Sequence, residues 1–354
     1  MRKVTNFSAG PSMLPDSVLD RIAAELYDYQ GSGQSVMEMS HRSPIFMDIF
    51  EKTKEHFRKS LSIPDTHEVL FLQGGATTQF AAIPLNLMKE SADYAVTGNF
   101  SGIAAKEATK YGKIHICADT SDSNHTEIPE QSGINFSENP SYFHYCENNT
   151  IYGTQWNYVP TAPTTLVCDM SSNILSKPVD VSKFGMIYAG AQKNMAPAGL
   201  TVVIIDKKLA GNQAPSTPMM FNYEQQIKAG SMVNTPSCFP IYVLGLTLDW
   251  VDQMGGLAAM EERTRTRANK LYEIIDNSKL FTAPAKVSAR SHMNVTFRGT
   301  TPELDKQFLE QANKQGLVNL AGHRVVGGMR ASIYNAVPTE GVEKLGQLIA
   351  MFDK

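Results

Sequence analysis

Lys193 stands alone among small and apolar neighbours in AGAQKNMAPAG, residues 189–199, a stretch with no other charged residue. Such surroundings desolvate an ammonium. A desolvated lysine gives up its proton more readily and becomes a nucleophile able to form a Schiff base with a carbonyl. Asp169 closes the apolar run TTLVCD, residues 164–169. A carboxylate there is either a helix cap for the next segment or a buried functional acid. The stretch Gln73-Gly74-Gly75-Ala76-Thr77-Thr78 separates an apolar run from a helical pattern. Free backbone N–H groups and the helix dipole suit a phosphate at such a junction, and glycines let the backbone come close. The same residues also make an ordinary tight turn. They match neither Gly-x-Gly-x-x-Gly nor the Walker pattern, so a nucleotide is not indicated.

The order of the three features narrows the chemistry. A phosphate-type loop, a strand-end aspartate and a lysine in a small-residue loop are the parts that pyridoxal 5'-phosphate (PLP) needs. The lysine carries the cofactor, the aspartate keeps the pyridine nitrogen protonated, and the loop holds the phosphate. No metal is expected.

Positioning these residues requires a sheet. Short apolar runs at Glu68–Leu72, Asp93–Thr97, Ile114–Ala118, Tyr142–Cys146, Thr165–Asp169, Met186–Ala189 and Leu200–Ile205 read as strands. Helical patterns lie at Pro15–Gln30, from about Thr78, and at Ser101–Tyr111. The alternation predicts an α/β fold, a mixed and mostly parallel sheet flanked by helices, with ligands beyond the carboxyl ends of the strands. The last two strands are too close for a helical crossover and are expected to be antiparallel. From about Leu257 a charged helix leads to strands near Asn294–Arg298 and Arg330–Tyr334, with helices near Thr301–Gln315 and Thr339–Phe352. The expected division is an N-terminal segment (1–14), a large cofactor-binding domain (15–256) and a small α+β domain (257–354).

The 354 residues are 42% hydrophobic and carry a net charge of −3, so no basic excess points to nucleic acid or a membrane surface. Cys117, Cys146, Cys168 and Cys238 form no CxxC pair and read as reduced cysteines near a core. No signal-peptide core or bilayer-length apolar run is found, and the cytoplasm is the expected compartment.

Four separated stretches, NFSAGPSMLP, SVMEMSHRS, IYAGAQKNMAPAGLTVVIID and GHRVVGGMRASIYNAVP, resemble the phosphoserine aminotransferase family. That family belongs to the class V aminotransferases of PLP fold type I, and the resemblance runs from about Asn6 to the C-terminus. It implies that Lys193 holds the cofactor as the Schiff-base lysine and that Asp169 pairs with the pyridine nitrogen. Gln192 is implied at the cofactor phosphate, Thr150 near the ring hydroxyl, and the backbone of Ala76 and Thr77 at the phosphate. Asn234 and Thr235 are implied to complete the phosphate site of the partner subunit, which makes the chain a homodimer with sites at the interface.

On the substrate side the resemblance implies Arg330 for the α-carboxylate, gripped through two parallel hydrogen bonds. His41, Arg42, His323 and Arg324 are implied for the distal anion, some of them across the interface. The implied reaction is reversible amino transfer between O-phospho-L-serine and 2-oxoglutarate, giving 3-phosphohydroxypyruvate and L-glutamate, in L-serine biosynthesis. 4-Phosphohydroxy-L-threonine, used in pyridoxine biosynthesis, shares both anionic ends and is a further candidate substrate. Two positions depart from the family pattern. Phe100 stands where members often stack a tryptophan on the ring, and Thr77 stands where some carry an arginine. The rival readings are other class V reactions, alanine–glyoxylate transamination or cysteine desulfuration. For the latter, Cys238 is the cysteine to consider.

Overall fold

The computed structural model describes residues 3–353. Seven strands form its main sheet: β1 (His67–Leu72), β2 (Ser91–Val96), β3 (Lys113–Asp119), β4 (Phe143–Cys146), β5 (Leu166–Asp169), β6 (Met186–Gly190) and β7 (Thr201–Asp206). Across the sheet the order is β1-β7-β6-β5-β4-β2-β3. Strands β6, β5, β4, β2 and β3 pair in parallel, while β7 runs antiparallel to both of its neighbours. The β6–β7 pairing is the antiparallel element that their short connection requires.

Period-two alternation sends successive side chains to opposite faces, and both faces of the central strands are covered, which is why those strands are largely apolar, whereas the edge strand β3 (KIHICAD) stays mostly exposed. Val69, Phe71, Cys168, Ile187, Ala189, Val202 and Ile204 pack on one side with Phe50 and Phe57 of helix Pro44–Ser60 and Leu244 and Leu248 of helix Cys238–Gln253. Leu70, Leu72, Val167, Tyr188, Val203 and Ile205 pack on the other with Phe80 and Ile83 of helix Gly75–Leu87 and Ala104 and Ala108 of helix Asn99–Ala108.

Three helical boundaries differ from the sequence reading. The first helix is Asp16–Glu25 and ends well before Gln30. There the Asp28 carboxylate accepts the Gly33 N–H at 2.7 Å and Gln30 takes a φ of 51°, so turn chemistry interrupts the apolar spacing. Helix Asn99–Ala108 starts earlier than Ser101 because the Ser101 hydroxyl accepts the N–H groups of Thr97 and Gly98 at 3.0 and 3.1 Å. Helix Gly75–Leu87 starts at the glycine pair rather than at Thr78.

A second core gathers around the antiparallel strands Phe281–Thr282, Asn294–Gly299 and Met329–Ser332. Helices Gly256–Asp276, Pro302–Lys314 and Thr339–Phe352 supply its other wall. Thr301 caps the second of these by accepting the Leu304 N–H at 3.2 Å, with Pro302 in its first turn. The N-terminal strand Thr5–Asn6 pairs in parallel with Leu317–Val318, and Phe7 and Met13 are buried in this second core. Among the described residues no helix is long and apolar enough to cross a membrane.

Candidate active site

The carboxyl ends of the parallel strands converge on one cavity. Strand β5 ends at Asp169, β4 at Cys146 and β6 at Gly190, just before Lys193. Strand β1 leads into Gly74–Gly75, and β2 leads through Gly98 to Phe100. Ala76, Thr77, Phe100, Thr150, Asp169, Gln192 and Lys193 all line this cavity.

Lys193 is half-buried, and its Nζ donates to Thr150 Oγ1 at 2.9 Å. Burial pulls its ammonium down to about 8; the Asp169 charge opposes that shift, and Arg330 adds to it. The amine also lies 5.6 Å from the centroid of the Phe100 ring, which is 38% exposed and so has a face open to a ligand. The N-terminal segment straps the lysine loop in place. Ser12 donates its N–H to Gln192 O at 2.9 Å and its hydroxyl to Lys193 O.

Asp169 is 8% exposed. Its Oδ1 accepts the Ser171 N–H at 2.8 Å, and the Cys146 thiol stands 3.9 Å from Oδ2. Among the described residues no lysine or arginine lies within ion-pair distance of it. At the phosphate-type loop Gly74 and Gly75 have φ of 91° and 70°, and helix Gly75–Leu87 begins with no side-chain cap. A Cβ at Gly74 would lie 2.1 Å from Thr78 Oγ1, so only glycine fits there. An uncapped helix start leaves N–H donors for an anion.

Arg330 sits on strand Met329–Ser332, and its Nε is buried without a hydrogen-bond partner. Burial lowers its pKa, with Tyr334 acting the other way. His323 and Arg324 share its neighbourhood: the His323 pKa is lowered by burial, then by the charges of Arg330 and Arg324. His41 and Arg42 do not line the cavity and occupy the turn before helix Pro44–Ser60. Asn234 and Thr235 are exposed outside it. They hold Gln73 through contacts of 3.1 Å (Asn234 Nδ2 to Gln73 Oε1) and 2.7 Å (Gln73 Nε2 to Thr235 O). Cys238 lies outside the cavity as well, and burial pushes its thiol pKa up, the reverse of what an activated nucleophile requires.

Sequence reasoning missed several residues at the site. Ser12 stands in the sequence only as one residue of NFSAGPSMLP, and Cys146 only as a core thiol. Asn148, Asn149, Ser171, Ser172 and Tyr152 also line the cavity. Their one signal was a run of polar residues directly after two apolar strands.

The class-V aminotransferase model matches residues 4–345. A phosphoserine aminotransferase of Bacillus cereus is 49% identical over 356 aligned positions, covering 100% of this chain and 99% of that one. The solved phosphoserine aminotransferase of Bacillus circulans subsp. alkalophilus superposes with a TM-score of 0.97 at 42% identity, over 99% of this chain and 98% of the other. A PLP-bound phosphoserine aminotransferase from Trichomonas vaginalis gives a TM-score of 0.94 at 37% identity, over 98% and 99%. Sequence, fold and the convergence of Lys193 with Asp169 at the strand ends agree: the chain belongs to the class-V aminotransferase family.

Proposed function

We propose that this chain catalyses reversible amino transfer between O-phospho-L-serine and 2-oxoglutarate, giving 3-phosphohydroxypyruvate and L-glutamate, with pyridoxal 5'-phosphate as cofactor. The observation that carries the reading is the half-buried Lys193 amine, lowered to about 8, in one cavity with Asp169 and within electrostatic reach of Arg330. The same two anionic ends extend the reading to 4-phosphohydroxy-L-threonine, one carbon and one hydroxyl larger, a small difference for a site to discriminate.

The residues fit the cofactor. The uncapped helix start at Gly75, with Ala76 and Thr77, offers N–H donors to its phosphate, and Gln192 lines the same cavity. Asp169, which pairs with no cation among the described residues, would hold the ring nitrogen's proton, Thr150 would serve the ring hydroxyl, and Phe100 would stack on the ring; all three line the one cavity. When bound, pyridoxal phosphate supplies an electron-withdrawing ring that stabilises negative charge at the substrate α-carbon. With the cofactor bound, Lys193 Nζ would remove the substrate α-proton and return it as general base and acid. Asp169, oriented by the Ser171 N–H, would supply the negative charge that keeps a pyridine nitrogen protonated. Arg330, for whose guanidinium no hydrogen bond or ion pair within the protein is seen among the described residues, would grip the α-carboxylate. His323 and Arg324 take the distal anion, joined by His41 and Arg42. These last two, with Asn234 and Thr235, act across the interface of a homodimer, which suits their place outside this chain's own cavity.

On this reading residues 15–256 form the cofactor-binding unit and 257–354 the smaller one, with 1–14 strapped across both, and the enzyme works in the cytoplasm. The test is the visible spectrum of purified protein before and after phosphoserine is added without a keto acid. Loss of the yellow band with growth of the pyridoxamine band is expected. A yellow protein that ignores phosphoserine sinks the substrate assignment, and a protein that cannot take up the cofactor sinks the whole reading.

A further inference from the structure

In the smaller sheet Asn294 stands directly opposite Ser332, and Thr296 directly opposite Arg330. Opposed residues share a face, and alternation sends Val295, Phe297, Met329 and Ala331 into the second core. Asn294, Thr296, Ser332 and Arg330 therefore share the other face. That face meets the chain at residues 148–153, of which 148–152 line the cofactor cavity. The Asn294 side chain is wholly buried and bonded at both ends. The Ser291 hydroxyl accepts the N–H groups of Met293 and Asn294, both at 3.0 Å, which leaves its own proton for Asn148 Oδ1 at 2.5 Å. Asn148 Nδ2 then donates to Ser172 Oγ at 2.7 Å and to Asn294 Oδ1 at 2.8 Å. Asn294 Nδ2 donates in turn to the hydroxyls of Ser332 at 2.9 Å and Tyr334 at 3.3 Å. One amide thus joins the cavity wall to the strand of Arg330. Thr296 adds a tie of its own by donating to Tyr152 O at 3.1 Å. Gly153 permits the close approach, because a Cβ there would lie 2.5 Å from Thr296 Oγ1 and 2.8 Å from Asn294 O.

We propose that Asn294 is a positioning residue for Arg330, tying the strand that carries the guanidinium to the wall of the cavity that holds Lys193. The inference rests on the reading of Arg330 as the grip for the substrate α-carboxylate and extends it to a residue that does not line the cavity. Among the described residues the Arg330 guanidinium makes no hydrogen bond or ion pair within the protein, so its place is set by the backbone beneath it. That backbone belongs to the smaller sheet, whereas Asp169 ends a strand of the main sheet and Lys193 follows another. The distance from guanidinium to amine therefore depends on how the two sheets are joined, and Asn294 bonds to both sides of that joint. Misplacing a substrate-holding group by about 1 Å can cost on the order of 10²-fold in rate. Without the Asn294 amide the Arg330 strand loses its seat against the wall, and the α-carboxylate is held out of line with Lys193 Nζ.

The test is a double-mutant cycle on the full-length holoenzyme, read from the phosphoserine half-reaction without a keto acid. Loss of the yellow band is timed over a range of phosphoserine concentrations. Asn294→Ala is expected to lower the second-order rate constant about tenfold or more, with the cofactor band where the parent has it. In an Arg330→Ala background the same substitution is expected to change the rate by less than about twofold, because the group it positions is gone. Equal losses in the two backgrounds overturn the proposal, since damage to the fold or to the cofactor site is felt with or without Arg330. A parent-like rate in Asn294→Ala overturns it as well. Should Asn294→Ala not fold, Ser332→Ala cuts the tie on the side of the Arg330 strand. A loss of about threefold or more there that vanishes in the Arg330→Ala background supports the proposal, and no loss, or the same loss in both backgrounds, overturns it. If Arg330→Ala by itself leaves the phosphoserine rate unchanged, the reading of Arg330 fails and the proposal falls with it.

Discussion

Cys146 and Asp169 are the last residues of neighbouring parallel strands, paired in register, with the Cys146 sulfur 3.9 Å from Asp169 Oδ2. Burial, reinforced by the Asp169 charge, raises the thiol pKa well above its usual value. The thiol therefore stays protonated and adds no second negative charge to the site. With the Ser171 N–H on Oδ1, the carboxylate is held in one orientation before any ligand arrives. Pre-orientation of this kind spares the reaction the cost of arranging the group later.

Asp169→Asn keeps the shape and removes the charge. The expected loss in kcat for phosphoserine is about 10²-fold or more, the scale of one electrostatic contributor in a closed site. The sign of the coupling supplies a second readout. The Asp169 charge raises the Lys193 pKa, so removing it moves the lysine titration to lower pH than the parent's value of about 8. A titration that stays put or moves up contradicts the arrangement.

Arg330→Lys retains the charge but loses the two-pronged geometry. We expect kcat/KM to fall about 10- to 100-fold for both phosphoserine and glutamate, because both present the same α-carboxylate. The visible spectrum of the bound cofactor should not change. A loss confined to one substrate would place Arg330 at the distal anion instead.

Gly74→Ala introduces a Cβ 2.1 Å from Thr78 Oγ1 at a φ of 91°. The loop has to shift, and the N–H donors of the following helix turn move with it. Strain of this kind costs about 1–3 kcal/mol, so cofactor affinity should drop by about tenfold or more. Equilibrium titration of the cofactor-free variant with pyridoxal phosphate checks this, and parent-like affinity would remove the loop from the phosphate site.

His144 tests the layer beneath the site. It is buried with its ring 4.7 Å from that of Tyr94, and its Nε2 lies 2.8 Å from the Tyr188 hydroxyl. Burial pushes its pKa down to about 3. Between the unfolded value near 6.5 and that folded value, only the unfolded chain takes up the proton, so stability is lost as pH falls through this window. The loss is on the order of 2 kcal/mol by about pH 5. His144→Asn, which can still bond Tyr188, should therefore show a smaller drop in thermal midpoint than the parent between about pH 7.5 and about pH 5. Equal drops would mean that His144 titrates normally in the folded protein.

The sequence by itself determined much of this protein. Runs such as EVLFL and TVVIID are apolar at nearly every position, which marks strands covered on both faces, and their spacing set the alternating α/β order. Lys193, Asp169 and the Gly74–Gly75 turn could be picked out because each ends or follows an apolar run, but the roles given to them came from their order along the chain and from the family resemblance. The tertiary structure decided what no local pattern encodes. It ended the first helix at Glu25 through Asp28 and Gly33, and it paired Thr5–Asn6 with Leu317–Val318 at the far end of the chain. It brought Thr150 against Lys193 and Tyr334 against Ala9, and left Asn234 and His41 outside the cavity. The physical reason is that strand and helix periodicity depends on neighbours a few residues apart. A hydrogen bond between distant segments instead depends on how separate elements pack, and that geometry exists only once the cores have closed.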